Sequence, residues 1–225
     1  MEKPDFQEAG RAQVSFLAPV EKRLLVWMAR RTPDWIGSDH LTALGLLAML
    51  GAGLSYWYAR WNSAGLWLVI LFLFVNWLGD SLDGTLARVR NRQRPRYGFY
   101  VDHVVDAFGT LFLMVGLGLS GHMAHGVAIG LLVAYFMHSI EVYLATYAIG
   151  VFHLSFWKFS PTELRILLMA GNIALLCGRH SARLFGHSYR LFDVGGVIGI
   201  AGMALMLVWA VVRHTAHLYR AERLP

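Results

Sequence analysis

Six stretches of the chain stay apolar long enough to read as membrane-crossing helices: about 41–59, 64–86, 98–120, 124–150, 163–178 and 191–213. A spanning helix needs roughly 20 mostly apolar residues, and the fifth stretch is the shortest of the six. Ile36 to His40 read as a loop entering the first span. Upstream, Leu17, Val20, Leu24, Trp27 and Met28 fall on one helical face, while Glu21, Lys22, Arg23, Arg30 and Arg31 lie mostly off it. A basic amphipathic helix of this kind, from Val20 to Arg31, lies in the membrane interface. The alternative is a cytosolic helix packed on the loops. The pattern therefore predicts an all-α integral membrane protein, with six transmembrane helices and an N-terminal interfacial helix. It reads as a single domain over 1–225: an N-terminal segment 1–40, a six-helix core 41–213 and a tail 214–225. The sequence carries no repeat and no low-complexity linker.

Composition agrees with this pattern. Of 225 residues, 56% are hydrophobic and only 15% charged, against about 25% charged in an average soluble domain. That argues against a disulfide scaffold, a disordered tail or an ordinary cytosolic enzyme. The net charge of +6 could point to nucleic acid, but with so apolar a chain it points to a membrane surface, and no nucleic-acid partner is expected. Cys177 is the single cysteine and has no internal disulfide partner, so packing is its expected role. Residues 1–30 carry charges throughout and lack the apolar region of a signal peptide. Sixteen of the twenty Lys and Arg fall on the N-terminal side of the six spans; Arg60, Arg179, Arg183 and Arg190 fall on the other. The positive-inside rule then places both termini in the cytoplasm, in the cell inner membrane.

Ionised groups inside a membrane are costly and usually functional. Asp80 and Asp83 are three residues apart near the end of the second span, and Asp102 and Asp106 are four apart near the start of the third. Each pair shares a helix face. The connection between the spans is short, so the two pairs lie at the same cytoplasmic end and can face each other. Four adjacent carboxylates cannot all ionise without a counter-charge, and an oxygen-rich cluster suits Mg²⁺ or Mn²⁺. Pairing with the loop arginines would account for one or two of them. Gly84, Ala87 and Gly98 leave room beside the carboxylates for a phosphorylated ligand, and Arg88 offers a fork for its phosphate. Taken singly, the glycines could instead be helix-packing residues. A cation or proton transporter could use the same carboxylates, although such sites lie toward the midplane. A membrane scaffold would leave them unexplained.

The stretch from Asp80 to Asp106 resembles the signature of the CDP-alcohol phosphotransferase family, D-x2-D-G-x2-A-R, a spacer, then G-x3-D-x3-D, at all eight fixed positions. The resemblance implies a six-helix membrane enzyme of phospholipid biosynthesis, a homodimer with a cytoplasm-facing site. In the implied reaction an alcohol or lipid hydroxyl attacks the phosphate of a CDP-linked donor, and CMP leaves. It implies that Asp80, Asp83, Asp102 and Asp106 bind two metal ions and that Asp106 is also the base. It implies further that Gly84, Ala87, Arg88 and Gly98 line the nucleotide and pyrophosphate site. Asp39 and Thr42 are similar to the family segment that approaches the nucleotide, though Pro33 lies further upstream than the proline usual there; they could equally be a helix cap. Asp102-His103, Glu141-Val142-Tyr143 and Ser160-Pro161-Thr162-Glu163 resemble the choline and ethanolamine phosphotransferase branch. The arginines of 92–96 depart from the small hydroxyl residue that many relatives carry before the glycine.

Three further residues are candidates for the acceptor side. His103 could assist proton transfer, or face a neighbouring helix instead. Glu141 sits in mid-span, with His138 three residues before it, and suits an acceptor site or an interhelical hydrogen bond. Glu163 could simply favour a helix N-terminus. Gly126-x3-Gly130 and Gly195-x3-Gly199 permit close helix contacts, within the chain or at a dimer seam. Trp57, Trp61, Trp67 and Trp77 read as interfacial anchors.

Overall fold

A computed structural model describes residues 18–149, 161–184 and 186–222. Among them are seven helices: α1 (Ala18–Arg31), α2 (Ser38–Tyr58), α3 (Ala64–Val89), α4 (Pro95–Leu119), α5 (His125–Ile149), α6 (Pro161–Leu176) and α7 (Leu191–Ala221). Five of these, α2, α3, α4, α5 and α7, are long and apolar enough to cross a membrane. The sixth apolar stretch is the shorter α6, apolar from Leu164 to Leu176.

The boundaries move for local reasons. The first span starts at Ser38, inside the segment read as a loop, because the Gly37 N–H finds an acceptor in His40 Nδ1 at 3.0 Å. Neither Asp39 nor Thr42 is the cap: Gly37 is. Helix α4 begins at Pro95, whose fixed φ suits the first helical position. Helix α7 runs on to Ala221, so residues 214–221 of the tail continue the last helix. Nothing in His214–Ala221 is glycine or proline, so no backbone signal stops the helix at 213. Between α6 and α7 lies a hairpin absent from the sequence reading, β1 (Ser181–Leu184) paired antiparallel with β2 (His187–Arg190).

Helix α2 packs on both α3 and α4, α4 on α5, and α5 on α7, while α1 and α6 flank α3. Small residues set the closest approaches. A Cβ added to Gly53 would lie 2.2 Å from the Phe112 carbonyl oxygen, and one added to Gly116 would lie 2.0 Å from that of Gly53. Here α2 and α4 meet backbone to backbone, which only glycine allows. Gly79 does the same for α3, 2.7 Å from the Leu41 carbonyl oxygen. Around these crossings Ala52, Tyr56, Val69, Leu73, Leu113 and Leu117 form the core. Gly130 and Gly199 pack within the chain, against Ile200 and Leu131 respectively. Leu47, Leu71, Val133, Leu144, Leu205 and Val208 stay exposed, as side chains facing lipid do.

Helix α1 docks on the bundle through a stripe beside the face read as lying in the membrane interface. Leu25 and Ala29 pack with Leu41, Leu82 and Leu86, while Leu24 and Trp27 are exposed. Glu21, read as off the apolar face, turns toward α3 and α6. Its Oε1 accepts from Trp77 Nε1 at 2.8 Å and from Thr162 Oγ1 at 3.4 Å. Trp77 thus has a hydrogen-bond partner on α1. Arg90, just past α3, fixes the connection between α1 and α2 by donating to the carbonyls of Thr32 (2.7 Å), Pro33 (3.0 Å) and Ile36 (2.6 Å).

Candidate active site

The α3–α4 connection is a tight one, from Arg90 to Arg94, with Asn91 at a positive φ of 51°. It turns the chain so that the last turns of α3 and the first turns of α4 share one end of the bundle. All four aspartates are there. Asp83 is buried, Asp80 and Asp102 are half-buried, and Asp106 is the furthest along α4 from the connection. The charges of Asp80, Asp83 and Asp102 all act on Asp106, as does that of Arg165.

Each carboxylate is oriented by a different neighbour. Thr42 Oγ1, one turn into α2, donates to Asp83 Oδ2 at 2.6 Å. Asp80 Oδ2 accepts from Arg165 Nη2 of α6 at 2.7 Å. Arg165 Nε donates to Asn76 Oδ1 at 2.8 Å, and Asn76 Nδ2 donates to the Gly45 carbonyl at 3.0 Å. Arg165 is a helical arginine, 85 residues from Asp80 in sequence. Among the described residues, no three of His, Cys, Asp and Glu are drawn together closely enough to hold an ion.

The glycines separate into two kinds. Those at the crossings are filled by a neighbouring backbone. At Gly84 an added Cβ would meet only the Arg88 guanidinium, at 3.6 Å, and at Gly98 it would meet nothing within 4 Å. Neither packs against another helix, so both leave open space beside the aspartates. Ala87 is half-buried on α3, and Arg88 is exposed, its Nη2 donating to Thr85 Oγ1 at 3.1 Å. Asp39 is brought to the same end but binds Arg94 as a salt bridge.

The acceptor-side candidates scatter. His103 turns toward α5, its ring edge-on to Tyr143 at 5.0 Å between centroids, with Nδ1 against the Phe99 carbonyl. Glu141 makes an interhelical hydrogen bond to His214 of α7 at 2.6 Å, and its charge also reaches His138. The side chain of Glu163 and all of Ser160 lie outside the described residues. Sequence reasoning missed Arg165, Asn76 and Tyr135. Tyr135 is hydrogen-bonded with Thr110 and Ser139, and its ring hydroxyl lies within electrostatic reach of Asp106. A polar Asn76 one turn before Asp80, and an arginine within the fifth apolar stretch, were the available signals.

Beside Arg165 lies a groove of about 230 Å³ lined by Glu21, Phe74, Trp77, Thr162, Ile166 and Met169. Apart from Glu21, Thr162 and Arg165 its walls are apolar.

An acidic cluster opening beside glycines, at one end of an apolar helix bundle, is the framework of a membrane-embedded enzyme. Residues 35–214 match the CDP-alcohol phosphatidyltransferase family. The chain belongs to that family, and it is a transferase of phospholipid synthesis and an integral membrane protein. Membership decides against the transporter and scaffold readings. The chain is distantly similar to human cholinephosphotransferase 1, at 29% identity over 75% of this chain and 42% of that protein. The chicken cholinephosphotransferase 1 is 26% identical over 88% of this chain and 61% of its own length. A phosphatidylinositol phosphate synthase of Cutibacterium acnes is 33% identical over 49% of this chain and 47% of its own. The chain spans about half the length of the curated cholinephosphotransferases it matches.

Proposed function

We propose that the chain transfers a substituted phosphate from a CDP-linked donor to an alcohol hydroxyl and releases CMP. The observation that carries this reading is the aspartate quartet of α3 and α4, with open space at Gly84 and Gly98 where a nucleotide diphosphate can reach the backbone. The four carboxylates suit Mg²⁺ or Mn²⁺ as a donor set, and Asp80, Asp83, Asp102 and Asp106 would hold two such ions. When bound, they supply charge that steadies the phosphate and the departing CMP. Arg88, exposed beside Gly84, grips a phosphate oxygen, and Ala87 leaves space one turn on. Asp39 and Thr42, at the start of α2, close the nucleotide side.

Asp106 takes the proton from the acceptor hydroxyl at its carboxylate. It lies deepest along α4 from the connection, where a lipid or alcohol approaches. His103, turned toward Tyr143, is the next group to test. Glu141 and Glu163 remain on the acceptor side of this reading. The cholinephosphotransferase matches cover more of this chain than the phosphatidylinositol phosphate synthase match, which favours a CDP-amino-alcohol donor over CDP-diacylglycerol. Helix α6 is read as the sixth span, α1 as the interfacial helix, and the whole chain as one domain that forms a homodimer. Sixteen of twenty cationic residues on one side support a cytoplasmic site with both termini beside it, in the cell inner membrane.

The test is CMP release by purified protein given CDP-choline or CDP-diacylglycerol with a panel of alcohols and diacylglycerol. Turnover is expected with Mg²⁺ or Mn²⁺ and is expected to vanish after EDTA treatment. Asp106→Asn is expected to lose about 10²–10⁴-fold in rate while keeping donor affinity. Full turnover of the stripped enzyme, or no CMP release with any pair, would refute the reading.

A further inference from the structure

Asp80 of the quartet is paired with a cation from another helix, Arg165 of α6. The contact is built. Arg165 is 12% exposed at its side chain and spans one helical turn of α3, with Nε on Asn76 and Nη2 on Asp80. Asn76 is 6% exposed and is itself fixed to the Gly45 carbonyl of α2. Three helices thus aim one guanidinium at one carboxylate oxygen. The charge of Arg165 also reaches Asp106. In this arrangement no three acidic groups among the described residues close on a common point.

We propose that Arg165 is a resident counter-ion that competes with the divalent cation for Asp80, so that metal binding and release of α6 from Asp80 are one event. This rests on the metal-dependent reading given above. A guanidinium on Asp80 Oδ2 and a divalent ion on the same carboxylate would hold two positive charges within a few ångströms of each other, and their repulsion favours one at a time. Without metal, the arginine relieves the repulsion among four carboxylates that would otherwise open the end of the bundle. Once displaced, the guanidinium has somewhere to go. Arg165 already lines the groove that Glu21 faces, so its charge moves toward a carboxylate of α1 instead of being stranded in lipid. The pairing lowers metal affinity by the fraction of time that Asp80 is released. A pair closed nine-tenths of the time costs about tenfold. The same competition keeps α6 docked until the ions arrive.

A purely structural tie between α6 and α3 makes a different prediction. Removing it would lower thermal stability and leave the metal affinity unchanged or weaker. The experiment therefore reads metal affinity and not turnover. Mn²⁺ is titrated into EDTA-stripped, detergent-solubilised protein, and the free ion is followed by its paramagnetic resonance. Arg165→Gln is expected to bind Mn²⁺ about tenfold more tightly than wild type. Arg165→Lys keeps the charge but loses the fork over Asn76 and Asp80, and is expected to show a smaller gain. It carries the test if the glutamine variant does not fold. If wild type binds Mn²⁺ and the folded variants bind it equally or more weakly, the counter-ion role is wrong and the metal reading stands. If neither wild type nor variants bind Mn²⁺, both fall together.

Discussion

Thr42 Oγ1 lies 2.6 Å from Asp83 Oδ2, tying the first turn of α2 to the buried aspartate of α3 across 41 residues of sequence. The same hydroxyl lies 3.1 Å from the Ser38 carbonyl. Asp83 is 8% exposed, and a buried carboxylate loses much when a donor is removed.

Thr42→Val keeps the shape and removes the donor. It is expected to cost about 1.5–3 kcal/mol of stability, the usual worth of a hydrogen bond to a charged group, and to lower kcat/KM. Thr42→Ser is expected to restore both. Thermal unfolding in detergent, with CMP release on the same samples, checks this. A valine variant with wild-type stability and rate would leave the contact without consequence.

Two glycine substitutions should part company. Gly84→Ala meets only the flexible end of Arg88, so the protein should fold and gain a little stability, up to about 1 kcal/mol from helix propensity. Its donor affinity should fall, and Gly84→Leu should abolish donor binding. Gly116→Ala drives a methyl to within 2.0 Å of the Gly53 carbonyl oxygen. It should destabilise the bundle or prevent folding. Melting temperature beside binding of a CDP compound separates the two effects.

Topology has a natural marker. Cys177 is exposed just past α6, at the end of the bundle opposite the α3–α4 connection. A membrane-impermeant maleimide applied from outside intact cells should label Cys177. In a Cys177→Ser background, Arg92→Cys should be shielded from the same reagent and become reactive only after permeabilisation. Reversed labelling would invert the orientation.

The far end of the bundle carries a pH-dependent element. His122, in the connection between α4 and α5, has its imidazole pKa lowered, first by burial and then by the nearby charge of His180. Its Nε2 is buried without a hydrogen-bond partner. The folded state therefore holds it neutral. Its stabilising contribution is complete above its unfolded value of 6.5. That contribution is lost as pH falls below this toward the depressed folded value. Melting temperature should drop between pH 7.5 and pH 5.5, and the drop should shrink in His122→Gln. An equal drop in that variant would assign the effect elsewhere.

Much of this was legible in the chain because hydropathy is a local property. All six apolar stretches became helices, displaced by a few residues where Gly37 or Pro95 set the start. The aspartate pairs were legible because i,i+3 and i,i+4 spacing fixes a shared face whatever surrounds it. What was missed is relational. Arg165 carries no local mark of Asp80, and Glu21 no mark of Trp77 and Thr162; only the packing of α1 and α6 on α3 brings them together. His214 was placed in a tail because charge ends an apolar run before it ends a helix. The hairpin at 181–190 escaped because its strands are nearly all exposed, without the alternation that marks a half-buried strand.

The grip of Arg90 on the carbonyls of Thr32, Pro33 and Ile36 sets an order on biosynthesis. Those carbonyls emerge from the ribosome more than fifty residues before the guanidinium that will hold them. During that interval α1 has no anchor at its C-terminal end, and Leu82 and Leu86, which will cover Leu25 and Ala29, do not yet exist. The first two membrane helices must be laid down as a hairpin before the N-terminal segment can settle. Arg90 thus acts as a late latch, closing the entry of the chain only once the strand of sequence bearing Asp80 and Asp83 is in place.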